Sequence, residues 1–373
     1  MNDTIWAKSI SEKIKKKMEV VASRSKGIIP YTTVNGRFDD WTERNICWWT
    51  NGFWGGIMWQ LYNATKLPIY RELAIDTEEK LDKNLMMYGG LDHDNGFKWL
   101  PTSYARYSLE KNEASRNRCL LAASHLLGRF NPAGSYLVAW NNWGNEDHSG
   151  WAIIDCMMNL PLLYRVSDEL GDSRFALVAK AHADTAAGYF VREDGSVNHI
   201  VEFNPDTGEF VKTYGGQGYA VGSTWTRGQS WALYGFTLSY LHTKEERYLD
   251  TAKKVADYYV DHIPESGFIP IDFCQPDDCT WEDSTSAAIA ACGLLELEKF
   301  VEGDLKSKYH NAAMKLLHAL AEERCNFDDD TDNIVEKCSA AYHENNHEFS
   351  IIYGDYYFIE AIFKLTGEEL FIW

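Results

Sequence analysis

The chain has 373 residues, of which 45% are hydrophobic, and its formal net charge at pH 7 is −19. This charge argues against binding to nucleic acid or to anionic membrane surfaces, because both attract clustered Lys and Arg side chains. The sequence contains no run of the roughly 20 apolar residues that a membrane span requires and no apolar region typical of a signal peptide. We therefore expect a cytoplasmic protein without nucleic-acid or membrane partners.

Helical periodicity recurs along the whole chain with short interruptions. The predicted helices cover residues 3–24, 51–65, 68–87, 99–111, 113–130, 150–169, 172–191, 226–242, 245–263, 283–301, 304–324 and 353–367. Some of them carry a charged stripe, whereas 52–62, 231–241 and 284–297 are apolar on nearly every side. Because a helix that is apolar all round must be buried, we expect half of the helices to be inner and half to be outer.

The order of these helices predicts the fold. Two inner helices begin with the same Trp-Thr-x-Gly pattern, at Trp49 and Trp225, and six helical hairpins in a ring would form an all-α (α/α)6 barrel. Segments 197–203 and 210–213 flank the turn sequence Asn204-Pro-Asp-Thr-Gly208, which predicts a small β-hairpin in a long loop. Since no linker divides the chain, we expect residues 1–373 to form a single domain.

Two aspartates are the candidates for acid/base chemistry. Asp155 lies in the apolar stretch 151–161, which is predicted to be helical, and burial there would keep a carboxyl group protonated near neutral pH. Asp94 is predicted where a loop enters a helix. Each has a structural alternative, since Asp155 would also suit a helix-dipole partner or a core acid bonded to Arg, and Asp94 would suit a turn.

The loops that precede the inner helices are expected to share one rim of the barrel and to form a cleft there. They contain Trp49, Asp94, the 140–143 segment, Gln217, Trp225, Asp283 and Asp355. The chain has 14 Trp and 21 Tyr, whose rings would either stack on sugars at this rim or fill the core. These alternatives are equally compatible with the composition.

Three polar residues near the predicted rim have two interpretations each. Arg227 opens an inner helix, where a cation needs a carboxylate partner, and that partner is either a protein salt bridge or the substrate. Gln217 lies among glycines that permit the close approach of a ligand or of backbone, as a flexible loop would too. His199 is either a surface strand residue or a cleft residue.

The sequence has no phosphate loop or dinucleotide fingerprint, and its eight Cys form no CxxC pair. We therefore expect free thiols, no metal and no cofactor.

Several motifs, in order, resemble those of glycoside hydrolase family 88, the unsaturated glucuronyl hydrolases, which have an (α/α)6 barrel. The motifs are Trp49-Thr-Asn-Gly-Phe-Trp-Gly-Gly56, His93-Asp-Asn-Gly-Phe97, Ile153-Ile-Asp-Cys-Met-Met-Asn-Leu-Pro161, Gly222-Ser-Thr-Trp-Thr-Arg-Gly-Gln229, Asp283-Ser-Thr-Ser-Ala-Ala288 and Tyr353-Gly-Asp-Tyr-Tyr357. The resemblance implies that Asp155 is the catalytic acid/base and Asp94 the second essential carboxylate. It also implies a sugar site lined by Trp49, His93, Trp140, His199, Gln217, Arg227 and Trp231.

The implied substrate is a small oligosaccharide left by a polysaccharide lyase, with an unsaturated uronic acid at its non-reducing end. Hydration of the C4=C5 double bond of this sugar would lead to cleavage of the glycosidic bond. The alternatives are an unsaturated rhamnogalacturonyl hydrolase, a conventional inverting glycosidase on the same barrel, and a non-catalytic glycan-binding protein. Either a monomer or a homodimer is compatible with the sequence.

Overall fold

The computed structural model describes residues 2–373, and its main helices alternate between an outer and an inner layer. The outer helices are α1 Asp3–Arg24, α3 Pro68–Lys80, α5 Glu113–Gly128, α7 Ser173–Tyr189, α9 Glu246–Asp261 and α11 Gly303–Glu323. The inner helices are α2 Phe53–Thr65, α4 at 95–110, α6 Leu160–Leu170, α8 Thr226–Thr243, α10 Ser284–Leu297 and α12 Ile352–Thr366. Helix α4 is irregular, since Asn95–Trp99 and Ala105–Glu110 flank a π-helical turn, Leu100–Tyr104.

The inner helices form a closed ring. Each inner helix packs against the next one along the chain, and α12 packs against α2. Every residue of α8 from Thr226 to Ser239 is buried, whereas α9 buries only one face. The predicted (α/α)6 barrel is therefore confirmed, with its core between the two layers of helices.

Short strands lie in the loops at one end of the barrel. Strands β1 Thr33–Val34 and β2 Arg37–Phe38 pair, as do β3 Phe130–Asn131 and β4 Tyr136–Leu137. A three-stranded antiparallel sheet has the order β5 Trp151–Ile153, β6 Ile200–Phe203 and β7 Phe210–Tyr214. The predicted hairpin is confirmed as β6 and β7, but the third strand is an addition that the sequence patterns did not indicate.

The helix predicted over 150–169 is wrong in its first half. Residues Trp151–Ile153 form β5, a 3-10 turn covers Ile154–Met158, and α6 begins only at Leu160, with Pro161 in its first turn. The apolar run is equally compatible with strand and helix, and pairing with β6 decides in favour of the strand. Asp155 therefore lies in a tight turn after a strand.

Other predicted boundaries shift by smaller amounts. The helix predicted over 68–87 ends at Lys80 and is followed by the short helix Asp82–Leu85, and the one predicted over 99–111 begins four residues earlier, at Asn95. All eight Cys are free, as expected, and four of them are buried. Among residues 2–373, no helix combines the length and the apolar character needed to cross a membrane.

Candidate active site

A cavity of about 460 Å³ opens at the end of the barrel that carries the short strands. Its walls come from the loops before the inner helices and from the turn after β5. The cavity is lined by Asn45, Cys47, Trp48, Trp49, Gly89, Gly90, Asp92, His93, Asp94, Trp140, Asn141, Trp143, Ile153, Asp155, His199 and Gln217. The predicted cleft is thus present, and both candidate aspartates face it.

Asp94 immediately precedes α4 and is 7% exposed. Its main-chain N–H donates to Asp92 Oδ1 at 2.9 Å, which fixes the turn, and its side chain does not cap the helix that it precedes. Asp94 Oδ1 accepts a hydrogen bond from Asn159 Nδ2 at 3.3 Å and lies 3.4 Å from His93 Nε2. The carboxyl group is therefore held between two neighbours while it borders the cavity.

Asp155 is brought to the cavity by the pairing of β5 with β6. The N–H of Ile154 donates to the main-chain oxygen of His199 at 3.1 Å, so the turn that contains Asp155 lies beside the start of β6. His199 Nε2 is 3.6 Å from Asp155 Oδ1, slightly longer than a hydrogen bond. The two side chains therefore lie next to each other at the cavity wall.

The loop before α8 fixes the orientation of the His199 ring. The main-chain N–H of Gln217 donates to His199 Nδ1 at 3.0 Å, so a neutral His199 carries its proton on Nε2, facing Asp155. A Cβ atom on Gly216, which has φ +57°, would lie 2.0 Å from Nδ1. Only glycine allows this loop to approach the imidazole so closely.

The two carboxyl groups have opposite pKa shifts. Burial raises the pKa of Asp94 well above its usual value, as do the negative charges of Asp92 and Asp155. Burial also acts to raise the pKa of Asp155, but contact with His199 and the positive charge of Arg227 oppose it, and the pKa is lowered. The prediction that burial keeps Asp155 protonated is therefore wrong for the unliganded protein, because the two pKa shifts favour the proton on Asp94 and the ionised form of Asp155.

The two histidines that contact these carboxyl groups are both buried. Burial is the largest cause that lowers the pKa of His93 to about 4, so His93 is neutral at neutral pH. Its main-chain N–H donates to Ala139 at 3.0 Å, which holds the residue against the loop before β5. The cavity wall therefore contains one carboxyl group with a raised pKa, one with a lowered pKa and the neutral imidazole of His93.

Two residues that the resemblance implied as lining the sugar site do not line the cavity. Arg227 is 1% exposed, and its Nη1 donates to Asp283 Oδ2 at 2.6 Å and to the Ser339 main-chain oxygen at 2.5 Å. Trp231 is completely buried, with its ring centroid 5.1 Å from that of Phe97. Arg227 thus has the protein salt bridge that the sequence left as one alternative, and it acts on Asp155 only through its charge.

Three residues expected at the rim have structural contacts instead. Trp225 is buried, and the guanidinium carbon of Arg227 lies over its ring, 4.4 Å from the ring centroid. Asp283 caps α10 by accepting from the N–H of Thr285 at 3.1 Å. Asp355 is buried in the first turn of α12. The start of an inner helix therefore does not by itself bring a side chain to the cavity.

The aromatic residues divide between wall and core. Trp49 is half-buried and lies 4.9 Å from Tyr353, while Trp140 and Trp143 have ring centroids 5.3 Å apart at the opposite side of the lining. Trp143 is 50% exposed. Half of the 14 Trp are buried in the core, so core packing accounts for part of the aromatic content, while stacking on sugars stays a prediction for the Trp residues that line the cavity.

Several lining residues were not singled out from the sequence, among them Asp92, Asn45 and Cys47.

The sequence also contains His343-Glu-Asn-Asn-His347, which has the spacing of a zinc motif. It lies in turns and bends rather than in a helix, and the Nε2 atoms of both histidines face main-chain oxygens. In residues 2–373, no group of three or more His, Cys, Asp or Glu is arranged to hold a metal ion.

Comparisons with known proteins identify the family. The family model described as Glycosyl Hydrolase Family 88 matches residues 21–365. An unsaturated glucuronyl hydrolase from Bacillus sp. (strain GL1) is 35% identical over 85% of this chain and 86% of its own length. An unsaturated chondroitin disaccharide hydrolase from Streptococcus pneumoniae is 30% identical over 87% of this chain and 83% of its own length.

Solved structures give the same result. The crystal structure of unsaturated glucuronyl hydrolase from Streptococcus agalactiae matches with a TM-score of 0.91 at 28% identity, over 99% of this chain and 94% of the other. A mutant of that protein complexed with dGlcA-GalNAc6S matches with a TM-score of 0.84 at 26% identity, over the same shares of the two chains, 99% and 94%. The chain therefore belongs to glycosyl hydrolase family 88 and is a glycoside hydrolase.

Proposed function

We propose that the protein is an unsaturated glucuronyl hydrolase, which acts on oligosaccharides released by polysaccharide lyases from glycosaminoglycan-type polymers. The observation that carries this proposal is the pair Asp94 and Asp155, which face one cavity with pKa values shifted in opposite directions. Environments that separate the pKa values of two acids are typical of acid/base sites. The names of the relatives from Bacillus and Streptococcus support the same substrate class.

The reaction begins with protonation of the substrate. Asp155, acting as the general acid, transfers its proton to C4 of the unsaturated uronic acid. The electron pair of the C4=C5 bond forms the new C4–H bond, and the positive charge is shared between C5 and the ring oxygen. The ionised Asp155 then removes a proton from a water molecule as its oxygen bonds to C5.

The product of hydration is a hemiketal at C5, which opens to a ketone and frees the former ring oxygen as a hydroxyl on C1. C1 is then a hemiacetal that still carries the second sugar. Its collapse to an aldehyde expels that sugar with a proton on its oxygen. One water molecule is consumed, and the glycosidic bond breaks without direct attack of water at C1.

Asp155 must gain a proton before the first step, because its lowered pKa favours the ionised form in the unliganded protein. Entry of the substrate expels water from the cavity and brings the negative carboxylate of the uronic acid close to Asp155. Both changes raise the pKa of a carboxyl group, so Asp155 takes up a proton as the substrate binds. The neighbouring protonated Asp94 holds the ring hydroxyls and limits the negative charge of the site.

The remaining residues are assigned to substrate binding. Trp49 and Trp140 provide ring faces for the sugar, and His93 and Gln217 provide polar groups at the wall. His199 keeps its Nε2 proton directed at Asp155, which favours the ionised carboxylate after proton transfer. Arg227 and Trp231 do not line the cavity, and we assign them to the packing of the buried core next to it.

The domain count, the partners, the location and the assembly of the protein are also inferred. We infer a single domain, because the ring of inner helices closes only when α12 packs against α2, near the two ends of the chain. The net charge of −19 supports an enzyme without nucleic-acid or anionic-membrane partners. We further propose a cytoplasmic location and either a monomer or a homodimer.

An assay on lyase products tests this function. The conjugated unsaturated uronate absorbs ultraviolet light, and hydration of its double bond removes that absorbance. Disaccharides prepared by lyases from chondroitin, hyaluronan, heparin and gellan should lose absorbance in the presence of the protein, whereas the corresponding saturated disaccharides should remain intact. Turnover of the saturated sugars would support a conventional glycosidase, and binding of either type without turnover would support a glycan-binding protein.

A further inference from the structure

Asn159 connects the segments that carry the two carboxyl groups. It lies between the 3-10 turn that contains Asp155 and the start of α6, and it is completely buried. An Asn immediately before a helix commonly caps that helix with its side chain. Asn159 does not cap α6, and its side chain points instead towards the start of α4.

The amide group of Asn159 uses its acceptor oxygen and donates in two further hydrogen bonds. Its Oδ1 accepts from the N–H of Phe97 at 2.8 Å, so its Nδ2 must be the donor in the other contacts. Nδ2 donates to Asp94 Oδ1 at 3.3 Å and to the Asp155 main-chain oxygen at 3.2 Å. One side chain therefore ties the Asp94 carboxyl group to the backbone of Asp155.

The backbone of α4 is shaped to receive this side chain. A Cβ atom on Gly96 would lie 2.5 Å from Asn159 Cα and 2.6 Å from its Oδ1. The Asp-Asn-Gly sequence at 94–96, which resembles ordinary turn chemistry, thus has a packing reason for its glycine. Asn159 and Gly96 together allow the two segments to approach closely.

We propose that Asn159 is a positioning residue for the reaction, which fixes the spacing of Asp94 and Asp155 and orients the Asp94 carboxyl group. The orientation follows from the direction of the hydrogen bond, since Asn159 Nδ2 donates to Asp94 Oδ1. The carbonyl oxygen of a neutral carboxyl group is its better acceptor, so this contact directs protonation of Asp94 to Oδ2. This inference rests on the proposed function for its kinetic consequences but not for its structural ones.

Two substitutions of similar size separate positioning from simple packing. Asn159→Asp keeps the acceptor for Phe97 but replaces the donor with a carboxylate, and Asn159→Leu removes both. We expect kcat to fall by about 10- to 100-fold in each variant with a smaller change in KM, because misplacement of reacting groups affects the chemical step. In Asn159→Asp the loss should lessen as pH falls, since the introduced carboxyl group regains one donor when it is protonated.

Asn95→Ala is the matched control. Asn95 is also completely buried and also makes two side-chain contacts, but its partners are the Ala122 main-chain oxygen and His125. This variant should lower the melting temperature while keeping the wild-type pH dependence of kcat. If Asn159→Asp behaves in the same way, or retains the wild-type kcat, the positioning role is wrong.

A measurement without substrate keeps the inference independent of the proposed function. The side-chain carboxyl carbons of Asp can be labelled with ¹³C, and the Asp94 signal can be assigned from its loss in Asp94→Asn. In Asn159→Leu the Asp94 signal should titrate at a higher pH than in the wild type, because the ionised carboxylate has lost a donor. An unchanged titration would overturn the inference, whereas an inactive wild-type protein with the expected titration would overturn the proposed function alone.

Discussion

At the scale of single residues, Asp155 and Asp94 have different tasks although both are aspartates in one cavity. Replacement of Asp155 by Asn keeps its size but removes the transferable proton, so we expect turnover to fall by about 10²–10⁴-fold. The folded structure should persist, because the buried carboxyl oxygen Asp155 Oδ1 has no hydrogen-bond partner in the protein. Steady-state kinetics together with a thermal melt by circular dichroism check both expectations.

Asp94→Asn is the comparison for this experiment. It removes the proton that Asp94 holds but keeps an oxygen that can accept from Asn159, so turnover should also fall while the protein remains folded. Activity of Asp155→Asn near that of the wild type would exclude Asp155 from the mechanism. A collapse of the melting temperature in Asp94→Asn would instead favour a purely structural role for that residue.

Substitution of two tryptophans distinguishes a role in sugar binding from a role in core packing, since Trp143 lines the cavity and Trp231 is buried. Trp231→Ala should destabilise the protein by about 3–5 kcal/mol, because the ring is completely buried against Phe97. Trp143→Ala should instead leave the melting temperature nearly unchanged and raise KM, since loss of a stacking contact costs about 0.5–1.5 kcal/mol. Unfolding curves and kinetics on the same pair of proteins measure both effects. An unstable Trp143→Ala protein with normal KM would contradict this division.

At the scale of elements, α12 is tied to the loop before it by a titratable contact. Asp355 Oδ1 accepts from the N–H groups of Ile334 and Val335 at 3.0 and 2.6 Å, and burial raises its pKa to about 7. A carboxyl group with a raised pKa binds its proton more tightly in the folded protein than in the unfolded chain. Its contribution to stability is therefore complete at low pH and is lost as pH rises towards 7.

Asp355→Asn tests the sign of this dependence, since the amide oxygen can accept both hydrogen bonds but does not ionise. The wild type should lose stability relative to the variant as pH rises from about 4 to about 7, by a total of the order of 4 kcal/mol. Urea unfolding of both proteins across this range measures the difference. Parallel curves for the two proteins would show that Asp355 does not titrate within it.

The elements also show where sequence patterns are sufficient and where they are not. Periodicity predicted all inner and outer helices, because the inner helices contain segments that are apolar on nearly every side, such as 231–241 in α8. It could not separate strand from helix at 151–153, since that choice depends on pairing with the remote strand β6. The same pairing brings His199 to Asp155, so the lowered pKa of Asp155 could not be predicted from the local sequence.

At the scale of the whole molecule, the barrel places the cavity at one end and the supporting groups beneath it. Motif order predicted which loops meet there, and Asp94, His93, Trp140 and Gln217 all line the cavity as expected. The depth of a side chain depends on how neighbouring helices pack, which explains why Arg227 lies behind the wall. No sequence pattern indicated a role for Asn159, because Asp94 and Phe97 are distant from it in sequence and its third partner is a main-chain oxygen.

The proposed function depends on protonation of C4 of the unsaturated uronic acid, followed by addition of water at C5. Reaction in D₂O and in H₂¹⁸O, with early products analysed by NMR and mass spectrometry, measures both events. Short reaction times are needed because the carbonyl group formed on ring opening exchanges its oxygen with solvent. We expect deuterium at C4 and ¹⁸O first at C5. Absence of deuterium at C4, or ¹⁸O delivered to C1 as in a conventional glycosidase, would contradict both the hydration mechanism and the role of Asp155.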